Sequence, residues 1–394
     1  MDDFFTSVQS GDVATVKILL GTISSVNIKN SFNTTALMIS SNNENTEIAK
    51  LLLDKGADVN MHGPDRWTAL HFATNGGHTD IIRLLLKRGA NVDAKSNLQG
   101  DSPEKAPHLT SLMLASQNRN RGITELLLEK GANVNERGGA WNNTPIFYAL
   151  AVKDLEMMKL LIKNGANLSA NLYNKKSEMV TLVHYAIYKG SNYIDILKLL
   201  LENGAPVYGL DHFGNAPLSD AAYNGNTRAA KLLLEHHANV NHQNGIHKWT
   251  ALIYAASQGR SDAAKLLIDN GANVSAKALF QGNERVPTVE PHLTPLLAAS
   301  MWGFTGRVPT VKVLLENGAD PNTKGKHGRT AIHYATENGS LETVQLLLKH
   351  GANSNVKDDE GRTASQPQKI LTKFSHFYSK LRGKMISLRI LKRK

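Results

Sequence analysis

The chain contains no cysteine in 394 residues. Disulfides, thiolate metal sites and cysteine nucleophiles are therefore excluded together, although no compartment is named by that absence. Also missing is any apolar run of transmembrane length, so the body reads as soluble. The opening stretch, MDDFFTSVQSGDVATVKILL, is acidic and amphipathic and lacks the basic start and apolar core of a secretion signal. A cytoplasmic location is expected, with the nucleus or the cytosol of a host cell as alternatives. Catalytic signatures are absent too: no H-E-x-x-H, no paired carboxylates at helical spacing and no glycine-rich phosphate loop, since GFTG at 303 to 306 lacks the lysine and the preceding strand. No cofactor, metal or small-molecule substrate is expected, and the chain reads as a non-enzyme.

The net charge of +11 suggests nucleic acid until it is located. Residues 367 to 394 hold nine basic residues and no acidic one, while the rest of the chain carries 36 basic against 34 acidic residues. The repeats described next are thus close to neutral and have no general electrostatic reason to hold a phosphate backbone.

What the sequence does have is a repeat. In TALHFATNGGHTDIIRLLLKRGANV, Thr68 to Val92, Thr68 caps a helix whose apolar face is Ala69, Leu70, Phe72 and Ala73, ending at Gly76-Gly77. A second helix follows, lined by Ile81, Ile82, Leu84, Leu85 and Leu86 and stopped by Gly89. Two short helices with one shared seam cannot bury their own face, so copies at a fixed period are required. Thr35/Gly56, Thr68/Gly89, Thr110/Gly131, Thr144/Gly165, Ala216/His237, Thr250/Gly271 and Thr330/Gly351 all keep a spacing of 21, and Thr181/Gly204 and Thr294/Gly318 stretch it by two and three. Nine complete units result: 30–61, 62–94, 95–136, 137–169, 170–208, 209–242, 243–275, 276–322 and 323–355. Residues 1–29 read as a degenerate capping unit and 356–394 as an incomplete unit with a basic amphipathic tail.

At these residues the chain resembles the ankyrin-repeat family, whose first helix opens T-P-L-H-x-A with a period of about 33. The matching strings are Thr68-Ala-Leu-His71-Phe-Ala73, Thr144-Pro-Ile-Phe147, Thr294-Pro-Leu-Leu297 and Thr330-Ala-Ile-His333-Tyr-Ala335, with hairpins GADVN, GANVN, GANVS and GADPN. The resemblance implies an all-α repeat solenoid of stacked helix-turn-helix units with β-hairpin loops, a concave face for a protein partner, and a monomer. It also implies that His71, His184 and His333, at the fourth step of the first helix, tie neighbouring repeats together. The cluster His236, His237 and His242 has no carboxylate in phase and does not read as a zinc site.

Departures from the period mark where something beyond stacking is accommodated. Extra residues lengthen the connections between Gly89 and Thr110, Gly165 and Thr181, and Gly271 and Thr294, and three more fall around 303 to 310. Insertions of this kind map to loops on one face of a solenoid, often the binding face. The aromatic residues sort in two. Phe72, Tyr148, Tyr185, Tyr254 and Tyr334 follow the fourth step and are expected in the core. Trp67 and Trp249 precede the capping threonine, Tyr188, Tyr223, Met301 and Trp302 hold the variable positions before the interhelical glycine, and Trp141 lies at a hairpin tip. These seven are the expected partner-binding residues, because large rings bury much area for little entropy.

The tail breaks the pattern. Thr363-Ala364 starts a unit in phase, but Pro367 stops a normal first helix. Ile370, Phe374, Phe377, Leu381, Met385, Leu388 and Leu391 then recur at steps of three and four. The expectation is that this apolar side caps the last repeat. The alternative is an adaptor docked to an anionic membrane surface or nucleic acid through this basic tail, as in an effector exported into a host cell, or an import signal, formed by Lys369, Lys373, Phe374, Phe377, Lys380, Arg382, Lys384, Arg389, Lys392, Arg393 and Lys394.

Overall fold

The computed structural model of the protein describes residues 2–97, 108–139, 142–170, 172–173, 179–245, 247–279, 293–301 and 307–364. Trp141, Trp302, most of the three long loops and the tail from 365 onward lie outside the described residues. The chain divides into two compact units, Met1–Leu182 and Val183–Lys394. The fold is an all-α repeat solenoid in which each repeat is an antiparallel helix pair.

The first unit stacks five pairs: α1 (Asp2–Ser10) with α2 (Val13–Leu19), α3 (Ala36–Asn42) with α4 (Thr46–Asp54), α5 (Ala69–Gly76) with α6 (Thr79–Lys87), α7 (Ser111–Gln117) with α8 (Arg121–Glu129), and α9 (Pro145–Ala151) with α10 (Leu155–Lys163). A short antiparallel hairpin follows, β1 (Leu172–Tyr173) paired with β2 (Met179–Val180). The second unit continues with α11 (Leu182–Lys189) and α12 (Ile194–Glu202), α13 (Pro217–Asn224) and α14 (Thr227–Glu235), α15 (Ala251–Ser257) and α16 (Ser261–Asp269), α17 (Pro295–Met301) and α18 (Val308–Glu316), and α19 (Ala331–Glu337) and α20 (Leu341–Lys349). The degenerate first repeat is a full helix pair with Phe4, Val8 and Val16 in its core.

Each element forms for a local reason. The hydroxyls of Thr35, Thr110, Thr250 and Thr294 accept the backbone N–H three residues on, at 3.3 to 3.4 Å, which satisfies one of the free donors at each helix start. In α6, Ile81, Ile82 and Leu85 are buried while Arg83 and Lys87 face out, so the stripe at steps of three and four is the one that packs. Burying each such side chain contributes about 1.5–3 kcal/mol. Gly89 closes the repeat at φ 85° with open space where a Cβ would stand, so it is the backbone conformation and not crowding that asks for glycine there. His237 takes that place once, at φ 65°.

Two recurring side chains fasten repeat to repeat. Within its unit, each of Asn27, Asn60, Asn135, Asn241 and Asn322 donates from Nδ2 to the next repeat's glycine carbonyl at 2.9 to 3.3 Å and accepts, at Oδ1, a backbone N–H two residues past that glycine at 2.7 to 2.8 Å. His71 accepts the Thr68 backbone N–H at Nδ1 (3.2 Å) and reaches the Leu109 carbonyl from Nε2 (3.0 Å). His333 repeats this arrangement between Thr330 and Arg362, and His184 reaches the Asn215 carbonyl at 3.2 Å. A carbonyl only accepts, so Nε2 carries the proton and the ring is a neutral tautomer.

Candidate partner-binding face

The second unit gathers most of the expected binding residues that are described. Tyr223 ends the exposed edge of α13, and its ring meets that of Tyr254 on α15 edge-on at 6.2 Å. Trp249 stacks against Tyr254 at 5.0 Å. The three rings therefore form one half-exposed ridge across two repeats. Met301, half-exposed at the end of α17, has its carbonyl bound by the Asn338 side chain at 2.9 Å. Trp67 lies in the first unit, half-exposed and packed on His71 and Phe72 at 5.8 and 5.2 Å.

Two of the ridge candidates are also tied into the protein. The indole N–H of Trp249 donates to the Leu279 carbonyl at 3.2 Å, and the Tyr188 hydroxyl donates to Asp211 Oδ2 at 3.5 Å. Tyr188 nonetheless stays half-exposed. The expected core aromatics need a correction. Only Tyr334 is buried; Phe72, Tyr148, Tyr185 and Tyr254 are half-exposed. The fifth step of the first helix faces the edge of the groove, where these short helices cannot cover a large ring. Tyr334 is covered because Arg329 lies over its ring at 4.7 Å and is held there by Glu337 at 2.8 Å.

Behind the ridge lies a buried polar network that spacing in the sequence did not disclose. Asp211, in the hairpin before α13, accepts the backbone N–H groups of Phe213 and Asn215 at 2.9 and 2.8 Å. Asn215 Oδ1 in turn accepts from the Tyr254 hydroxyl at 2.8 Å and from Asn244 at 3.1 Å. Asp220 on α13 shares the Tyr188 hydroxyl with Asp211 and sits 3.7 Å from His184 Nε2. Burial and the Asp211 charge push the Asp220 carboxyl well above the usual carboxylate range. Burial raises the Tyr188 and Tyr254 phenols, and it lowers His184 to about 4 against the partial opposition of Asp211.

The same hairpin turns apolar residues outward. Tyr208 is 76% exposed, Leu210 40% and Phe213 39%, three large hydrophobic side chains within six residues. Isolated exposed apolar residues are ordinary, whereas a contiguous group of them is not. Sequence reading passed over this hairpin because its length is regular and its residues match no motif.

Elsewhere the chemistry is sparse. In the first unit a recess of about 510 Å³ between hairpins is lined by Asn60, His62, Arg66, Asp93, Lys95 and His108, a mixed set of charges without a common focus. Among the described residues no three side chains of metal-ligand type converge, and His242 lies 3.4 Å from the Gly214 carbonyl. None of the described helices is long and apolar enough to cross a membrane.

Stacked helix pairs joined by hairpins define a helical repeat protein. The sequence model of the ankyrin repeats, built on three copies, matches residues 4–96, 112–211, 183–278 and 276–358, and the chain belongs to the ankyrin-repeat family. Ankyrin repeats are in general protein–protein interaction modules.

Proposed function

We propose that this chain is a non-enzymatic scaffold that binds a partner protein through the face of its second unit made by Tyr223, Tyr254, Trp249 and the hairpin of Tyr208, Leu210 and Phe213. The observation that carries the reading is that hairpin's exposed apolar group, set on the connection that leads directly into the helix bearing Tyr223. Aromatic and apolar anchors of this kind carry most of the energy of protein interfaces. Three hydrogen bonds between Asp211 and Asn215, and a fourth from the Phe213 N–H to Asp211, hold the hairpin, so its display is preorganised and little ordering entropy is lost on binding.

A position-resolved crosslink tests it. A photoreactive phenylalanine analogue replaces Tyr223 in one variant and Lys231, on the exposed side of α14, in another, and both are irradiated in lysate of the source cells. A discrete crosslinked protein from position 223 and none from 231 is expected. Equal yields from both positions, or a product only from 231, contradict the proposal.

A further inference from the structure

The last helix of the second unit has an open side. In each earlier repeat the residue 14 steps after the capping position, allowing for the short insertions, is buried: Ile82, Met158, Leu197, Ala264 and Val311 are 2% exposed or less. Its counterpart in α20, Val344, is half-exposed. On the same helix Leu341 is 69% and Leu348 46% exposed. Residues 341, 344, 345 and 348 share one face of a helix, so these side chains form a strip. No described residue covers it.

The chain itself supplies a candidate cover. It is held to the stack as far as Ala364, which is buried, by the His333 bond to the Arg362 carbonyl and by the Asp359 backbone N–H donated to the His327 carbonyl at 3.0 Å. Thr363-Ala364 stand where Thr330-Ala331 stand one repeat earlier, so the following residues leave from the position at which the next repeat would begin. Thirty residues follow. They carry apolar side chains at steps of three and four, nine positive charges and no negative one between 367 and 394, and the end they leave from presents exposed carboxylates at Glu342 and Asp359.

We propose that the C-terminal segment of this chain, through Phe374, Phe377 and Leu381, docks on the open strip of α20 and closes the stack. Covering that strip removes apolar surface from water, the term that drives stacking between repeats. The linkage keeps the segment at high effective concentration beside the strip.

Because the protein has no cysteine, one introduced thiol reports on the strip alone. Gln345→Cys places it between Leu341 and Leu348 without removing an apolar contact. Alkylation by N-ethylmaleimide is measured in the full chain and in the same chain carrying Phe374→Asp with Phe377→Asp. Ile18→Cys, at a site 70% exposed in the first unit, serves as the control for unhindered reaction in both backgrounds. Reaction at 345 at least tenfold slower in the parent than in the double aspartate variant, with equal rates at 18, is the expected result. Equal rates at 345 overturn the proposal. Flotation of the parent with phosphatidylserine vesicles in that event assigns the segment to a lipid surface, and absence of flotation leaves it without a docking site on this chain.

Discussion

His184 Nε2 lies 3.7 Å from Asp220 Oδ2, and burial weighs against the charged form of both groups. Burial lowers the imidazole to about 4 and, with the Asp211 charge beside it, pushes the carboxyl well above the usual carboxylate range. Hydrogen bonds among Tyr188, Asp211 and Asn215 hold the network together.

Replacing Asp220 with Asn is therefore expected to stabilise the second unit at pH 7. A carboxyl whose pKa is higher folded than unfolded contributes stability that is full below the unfolded value near 3.8 and is lost as pH rises towards the folded value. The amide cannot ionise and escapes that loss. Hydrogen exchange of residues 217–224 should slow in the variant at pH 7 and converge with the parent near pH 4. Faster exchange at every pH would show that the carboxylate is paired after all.

His71 has the opposite dependence. Its pKa falls from 6.5 to about 4, chiefly by burial, so the unfolded chain binds the proton over that interval and the folded chain does not. Stability is then full above about 6.5 and declines as pH falls towards 4, by up to roughly 3 kcal/mol at one such site. Met38 and Met113 occupy the same step in neighbouring repeats. His71→Met should flatten the acid limb of the urea denaturation profile, and an unchanged slope between pH 6.5 and 4 would count against the assignment.

The asparagine clasp between repeats predicts a local loss. Asn60→Ala removes a donor to Gly89 and an acceptor for the Asn91 N–H, and should cost about 1–3 kcal/mol. Because repeats contact only their neighbours, the loss should appear as faster amide exchange around Asn91 before the whole chain melts earlier. Unchanged protection at Asn91 would mean that water replaces the clasp without cost.

The repeat and its phase were legible because they follow from a physical need: short amphipathic helix pairs must have copies, and each copy has to place threonine, apolar stripe and glycine in the same register. Among the described residues the first helices start directly after Thr35, Thr68, Thr110, Thr144, Thr181, Ala216, Thr250, Thr294 and Thr330. Side-chain environments across the stack were not legible. Tyr188, Asp211 and Asp220 belong to two different repeats, and only the stacking register brings them together, so no local spacing could announce the pair of carboxylates. The fifth-step tyrosines were misread because their position resembles a core stripe on a helical wheel, whereas a two-turn helix leaves one of its edges uncovered. Trp249 is a candidate by its variable position, but its hydrogen bond to Leu279 depends on the neighbouring hairpin and cannot be read from Trp249 itself.

The most direct test of the binding face is the affinity of the crosslinked partner, once purified, for Tyr223→Ala. Truncating an interface anchor costs about 2 kcal/mol or more, close to a 30-fold rise in Kd. Tyr148→Ala, in the first unit, serves as the comparison. The account predicts weakening of that order for Tyr223→Ala with an unchanged fold by circular dichroism, and a Kd within twofold of the parent for Tyr148→Ala. A Kd for Tyr223→Ala equal to that of the parent would contradict it.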